Sequence, residues 1–211
     1  MQAHPGFLIT FEGGEGCGKS TQARLLYQKL QRHNITSLLT QEPGGTPLGN
    51  KIRSVLKVKR DFNISPLSEL FLFAACRSQL IQDVIRPALQ AGRVVVCDRF
   101  SDSMVVYQGW ARGLDLSLID SINTAATGGL KPDATILLDL LPEQGLQRKR
   151  KIGQDRFDSE EISFHSKIRE GYLNLSAKEP ARWLVLQASL PINKLGQLIW
   201  EHIRPLIAEG R

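Results

Sequence analysis

The stretch Phe11-Glu12-Gly13-Gly14-Glu15-Gly16-Cys17-Gly18-Lys19-Ser20-Thr21 fits the pattern G-x-x-x-x-G-K-[ST] and lies between an apolar run at 7–11 and a helical pattern that begins at Lys19. A strand, a glycine-rich turn, a Lys-Ser pair and a helix in that order make a phosphate-binding loop. The glycines let successive backbone N–H groups turn inward around a polyphosphate. Lys19 sets an ammonium against the outer phosphates, and Ser20 offers a hydroxyl to Mg²⁺. The helix behind the loop adds the positive end of its dipole. Gly13, Gly14, Glu15, Gly16, Cys17, Gly18, Lys19, Ser20 and Thr21 are therefore expected around a nucleoside triphosphate.

Outward from the loop, the other segments with strand character fall at 37–41, 93–98, 134–140 and 183–187, after the first at 7–12. Helical patterns fill the intervals at 19–32, 48–56, 66–91, 116–126, 142–151, 159–177 and 192–208. Five apolar strands separated by helices predict a five-stranded parallel sheet with helices on both faces. Helix starts are marked by Ser65-Pro66 and Leu141-Pro142, where a first turn tolerates Pro, and by the acids of Asp158-Ser159-Glu160-Glu161. In such sheets ligands sit beyond the carboxyl ends of the strands. The loops after Glu12, Gln41, Asp98, Leu140 and Gln187 should therefore converge on one edge.

The length of 211 residues suits one α/β domain over 1–211 carrying a small lid. No segment approaches the roughly 18 uninterrupted apolar residues of a membrane span, and the N-terminus shows no secretory pattern. A soluble, cytoplasmic protein with no membrane partner is expected. Cys17, Cys76 and Cys97 form no C-x-x-C pair and leave an odd count, which argues for free thiols rather than disulfides or a zinc site. The net charge of +6 concentrates only at Arg148-Lys149-Arg150-Lys151. Without a surrounding basic stripe or an aromatic platform, that run suits a phosphate-rich small molecule rather than nucleic acid.

Val94-Val95-Val96-Cys97-Asp98 and Ile136-Leu137-Leu138-Asp139 both end a buried strand on a carboxylate. Asp98 is the better candidate to orient Mg²⁺, because Arg99 follows at once with a fork that can clamp a second phosphate. A kinase for a phosphorylated acceptor needs cations beyond the loop lysine, and Arg53, Arg77 and Arg99 lie on or beside the right edge. Phe73 precedes Arg77 by one helical turn, so a ring and a guanidinium share a face.

Taken with Glu42-Pro43-Gly44-Gly45-Thr46, Phe73-Ala74-Ala75-Cys76-Arg77, Asp98-Arg99-Phe100, Tyr107-Gln108-Gly109, Lys131-Pro132-Asp133 and Asp155-Arg156-Phe157-Asp158, the chain resembles the bacterial thymidylate kinases nearly end to end. The resemblance implies the architecture of the nucleoside monophosphate kinases among P-loop NTPases, with Mg²⁺, ATP and dTMP as ligands, and a homodimer. It implies that Glu15 meets the acceptor sugar, that Pro43 and Phe73 border the base, and that Arg77 bonds a base carbonyl. Arg53 and Arg99 would hold the acceptor phosphate. Ser103 and Gln108 would sit near the acceptor, and Tyr107 would lie under the deoxyribose. The loop has Gly16 and Cys17 where some relatives carry a basic residue. The missing charge is then expected from a lid at 148–158, through Arg148, Arg150 and Arg156 with Lys151.

Departures from the family pattern are Met104-Val105 after Ser103, Gln41 before Glu42-Pro43, and Ile152 before Gly153. The first leaves open the hydrogen bond to the base ring nitrogen. The last leaves open the division of labour among the lid cations. Competing readings are a kinase for another nucleotide or small metabolite, a regulatory GTPase, and a nucleotide-dependent nucleic-acid binder. The GTPase needs Asn-Lys-x-Asp, whereas the chain offers only Asn193-Lys194-Leu195-Gly196, and no Asp is followed three residues later by Gly.

Overall fold

The computed structural model describes residues 5–57, 63–150 and 155–209. Chain order runs β1 (Phe7–Glu12), α1 (Lys19–Arg32), β2 (Ser37–Gln41), α2 (Pro47–Lys57), α3 (Pro66–Leu80), a π turn (Ile81–Ile85) and α4 (Arg86–Gln90). It continues with β3 (Val94–Asp98), α5 (Ser101–Met104), a second π turn (Val105–Ala111), α6 (Leu116–Thr127), β4 (Ala134–Asp139) and α7 (Pro142–Arg150). A 3₁₀ turn (Phe157–Ser159), α8 (Ile162–Lys178), β5 (Trp183–Gln187) and α9 (Ile192–Glu209) complete it.

The strands form one parallel sheet in the order β2-β3-β1-β4-β5. β1 takes the middle because both of its faces are apolar enough to be covered. Ile9 and Phe11 join Val94, Val96, Ile136 and Leu138 under α1 and α9. Leu8, Val95 and Cys97 face the opposite layer, where Leu80, Ile85 and Leu89 cover them. Leu137 packs on that side against Val106, Ile168 and Tyr172. β1 and β3 end together, with Phe11 opposite Asp98, so the phosphate loop and Asp98-Arg99 emerge side by side.

The helix expected over 66–91 is interrupted at the π turn, where the Arg86 N–H reaches back to the Ile81 carbonyl. Pro87 explains the widening, since it has no N–H for Asp83 and its ring crowds that carbonyl. Residues 101–111 show no helical signal in sequence, because Val105, Val106 and Gly109 are weak helix formers. They wind nonetheless, through α5 into the second π turn. The Arg112 N–H closes that turn on the Tyr107 carbonyl at 3.0 Å, and burial of Met104 and Val106 holds it. The helix expected at 159–177 begins later, at Ile162, because the 157–159 turn closes first, with the Ser159 hydroxyl on the Arg156 carbonyl. Lys151, Ile152 and Gly153 of the expected lid lie outside the described residues. No helix among the described residues is long and apolar enough to cross a membrane.

Candidate active site

A cleft of about 940 Å³ opens along the carboxyl edge of the sheet. Of the expected residues, Glu15 through Thr21, Pro43, Arg53, Phe73, Arg77, Asp98, Arg99, Ser103, Tyr107, Gln108 and Arg148 line it. Gly13 and Gly14 sit just behind and offer carbonyls to the site's cations. Lys19 Nζ donates to the Gly14 carbonyl at 2.6 Å and to Cys17 Sγ at 3.4 Å, and Arg99 donates to the Gly13 carbonyl at 3.2 Å. Ser20 Oγ donates to Asp98 Oδ2. That places two hard oxygen groups together at the mouth of the loop, the type of donor Mg²⁺ prefers. Asp139, the other strand-end carboxylate, is held by both nitrogens of a fork from Arg169, at 2.7 and 2.9 Å.

The loop is gripped from α7. A Cβ on Gly16 would lie 2.0 Å from the Gly145 carbonyl, and one on Gly145 would lie 2.1 Å from the Glu15 carbonyl. Gly16 also has φ +67°, a conformation that glycine adopts without strain. This double contact fixes the distance between the phosphate loop and the helix that carries Arg148 and Lys149.

Arg99 occupies the left-handed region at φ +71°, unusual for a residue with a side chain. Its N–H is pinned to the Phe11 carbonyl at 2.9 Å, so the guanidinium swings across the loop. There it pairs with Glu15 at 2.6 Å, touches Ser103 and Tyr172 hydroxyls at 3.3 Å, and lies over the Tyr107 ring at 4.9 Å. Tyr107 OH donates to the same Glu15 oxygen at 2.7 Å. Burial alone would raise the Glu15 pKa, but Arg99 and Lys19 outweigh it and hold the carboxyl well below the usual carboxylate range. Glu15 is therefore ionised throughout the neutral range.

Three residues with no assigned role in sequence support this group. Glu12 is fully buried and accepts from the Phe100 N–H, the Ser103 hydroxyl and the Tyr172 hydroxyl at 2.7–2.8 Å. Burial, helped by nearby Asp102, pushes its pKa up to about 7. Glu42, at the next strand end, accepts both Nε and Nη2 of Arg77 at 2.9 and 2.6 Å. Glu12 and Glu42 stood inside quoted motifs, so adjacency to the loops was a usable signal. Tyr172 reaches in from the middle of α8 and had none.

Arg77 spends its N–H groups inside this network. Beyond Glu42 it reaches Asn123 at 2.7 Å and the Phe100 carbonyl at 3.1 Å, and its weakest partner is Met104 Sδ at 3.5 Å. Arg53 donates to the Pro43 carbonyl at 2.7 Å, and Gln108 donates to Glu69 at 2.8 Å.

The basic segment is divided in space. Arg148 lines the cleft and donates to the Ala188 carbonyl at 3.2 Å, beside Leu190 and Ile192. Lys149 lines it too, 3.4 Å from Asp158, and so does Lys57, which pairs with Asp155 at 2.8 Å. Arg150 is exposed at the end of α7 and lines no part of the cleft. Arg156, expected with the cleft cations, bonds Glu69 and the Leu56 carbonyl outside the cleft wall.

A phosphate loop on the central strand of a parallel sheet, facing a second cluster of cations across one cleft, defines a P-loop phosphotransferase of the nucleoside monophosphate kinase architecture. Comparison with known proteins narrows the class. The family model described as thymidylate kinase matches residues 11–199. Thymidylate kinases of Dehalococcoides mccartyi and Citrifermentans bemidjiense are 50% and 45% identical over 199 and 206 residues, covering 94% of this chain and 96% and 92% of theirs. The solved thymidylate kinase of Ehrlichia chaffeensis superposes with a TM-score of 0.77 at 31% identity, over 94% of this chain and 98% of that one. The chain belongs to the thymidylate kinase family and is an enzyme.

Proposed function

We propose that the enzyme transfers the γ-phosphoryl group of Mg-ATP to the phosphate of dTMP, giving dTDP and ADP for dTTP synthesis. The observation that supports this is that Lys19 and Ser20 of the phosphate loop line the same cleft as Glu15, Arg53 and Arg99. An acceptor phosphate oxygen is anionic at neutral pH, so no general base is required. Catalysis consists of positioning two anions and offsetting their repulsion. Lys19 takes the donor's outer phosphates, while Arg99 and Arg53 take the acceptor phosphate. Ser20 and Asp98 would hold Mg²⁺, which would supply positive charge against the donor phosphates. Arg148 and Lys149, held beside the loop by the Gly145 contact, are the lid cations placed to reach the donor.

Glu15 meets the acceptor sugar, with Tyr107 beneath it and Ser103 alongside. Pro43 and Phe73 flank the base. Arg77 would exchange its weak Met104 Sδ contact for a base carbonyl. We assign the chain one kinase domain with a lid at 148–158, a cytoplasmic location and a homodimeric state. The test is ADP release measured with dTMP, dUMP, dGMP, dCMP and AMP. dTMP is expected to be preferred, and Lys19→Ala to lower kcat by roughly 10³-fold or more. A preferred purine acceptor, or near-normal kcat in Lys19→Ala, would sink the reading.

A further inference from the structure

Glu69 is a carboxylate on α3 with no exposed surface, and it lines no part of the cleft. Its two oxygens are shared among three neighbours. Oε1 accepts from Gln108 at 2.8 Å, and Oε2 accepts from Arg156, with Arg112 reaching both oxygens at 3.4 Å. Arg156 is fixed further by its Nε on the Leu56 carbonyl at 2.9 Å and its backbone N–H on the Lys57 carbonyl at 3.0 Å. Its guanidinium covers the Phe157 ring at 4.5 Å. Phe157 does line the cleft, 6.1 Å from Phe73 and 5.9 Å from Tyr107 between ring centres.

A buried carboxylate shared by two guanidinium groups and an amide is costly to leave half-paired, so its partners move together or not at all. We infer that Glu69 is a positioning residue for acceptor recognition: through Arg156 it seats Phe157, and through Gln108 it seats a second stretch of the same cleft's lining. Arg156 then acts from behind the pocket wall and touches no phosphate. The inference rests on reading this end of the cleft as the acceptor-base site. A misplaced pocket wall weakens acceptor binding without changing charge at the transferring phosphoryl, so the effect belongs in KM for the acceptor.

The test is a kinetic cycle of Glu69→Gln, Arg156→Gln and the double variant in the full-length enzyme, with dTMP and Mg-ATP varied separately. Each single variant is expected to raise KM for dTMP about 10-fold, the equivalent of one lost contact. kcat and KM for ATP should stay within about three-fold, and the double variant should be no worse than the worse single. A loss of about 10³-fold in kcat for Arg156→Gln, repeated in the Glu69→Gln background, would put Arg156 on the transferring phosphoryl and overturn the inference. Multiplying KM effects would overturn it as well. Amide hydrogen exchange without nucleotide scores the anchor independently of any activity on dTMP. The amides of residues 156 and 157 should exchange faster in Glu69→Gln than in the wild type, and equal rates refute the anchor. Should the variants not fold, dTMP must slow exchange of the same two amides in the wild type, and unchanged exchange refutes it too.

Discussion

Two carboxylates three residues apart, Glu12 and Glu15, are driven in opposite directions by what surrounds them. Glu15 meets two cations and stays charged. Glu12 is hydrogen-bonded only by neutral donors inside a closed shell, and burial with the nearby Asp102 charge outweighs the pull of Arg99, lifting its pKa to about 7. Between its ordinary value near 4.5 and about 7 the folded state therefore holds a proton that the unfolded state has lost. Glu12 contributes stability that is present at low pH and disappears as pH rises through that window, on the order of 3 kcal/mol. Urea unfolding of wild type and Glu12→Gln at pH 5 and pH 8 checks this. The variant should gain stability relative to wild type by that order at the higher pH, and a constant difference would contradict the assignment. Glu15 has the opposite sign, its contribution being lost only as pH falls through its depressed pKa. Neither behaviour was legible in the residue types, since the same side chain stands at both positions. What separates them is that Arg99 pairs directly with Glu15, whereas a backbone N–H and two hydroxyls cover Glu12.

At the level of elements, the sequence announced strands and most helices because their apolar periods and caps are local properties. It was silent where packing overrides propensity. Residues 101–111 coil although their composition disfavours it, and the wide turn at 105–111 is what directs Tyr107 and Gln108 at the cleft. Gly145 was equally unreadable. A glycine inside a helix ordinarily looks like a place where alanine would add about 1 kcal/mol. Here the added methyl would stand 2.1 Å from the Glu15 carbonyl, and backbone cannot step aside as a side chain can. Gly145→Ala is therefore expected to destabilise by about 1–3 kcal/mol, the usual range for overpacking. It should also lower kcat at least several-fold, because α7 must back away from the loop with Arg148 and Lys149. Thermal unfolding and steady-state rates measure both, and a stabilised, fully active variant would show that the contact yields.

For the whole molecule, the parallel sheet, the edge on which loops converge and the family were legible from the spacing of strands and motifs, whereas the strand order was not. The pairing of distant polar groups was not, because Glu69 with Arg156 or Glu12 with Tyr172 are brought together only by the closed fold. The assembly state belongs to this scale. Leu67 and Phe71, one turn apart on α3, are 42% and 54% exposed, and Leu116 on neighbouring α6 is 48% exposed. A homodimer would cover them. Light scattering should give a dimer for the wild type and a monomer for Phe71→Asp, and a monomeric wild type would remove the assignment. The strand order also constrains how the protein is made. Of the five strands, the one synthesised before the others is the middle one of the sheet, and it hydrogen-bonds to β3 and β4 but not to β2. One of its edges stays open until β3 is complete at residue 98 and the other until β4 is complete at residue 139, and the cleft wall at Ile192 comes later still. The nascent chain thus carries an apolar strand with no partner until β3 is made and with one side still open until β4 follows, which delays closure of the sheet around the phosphate loop.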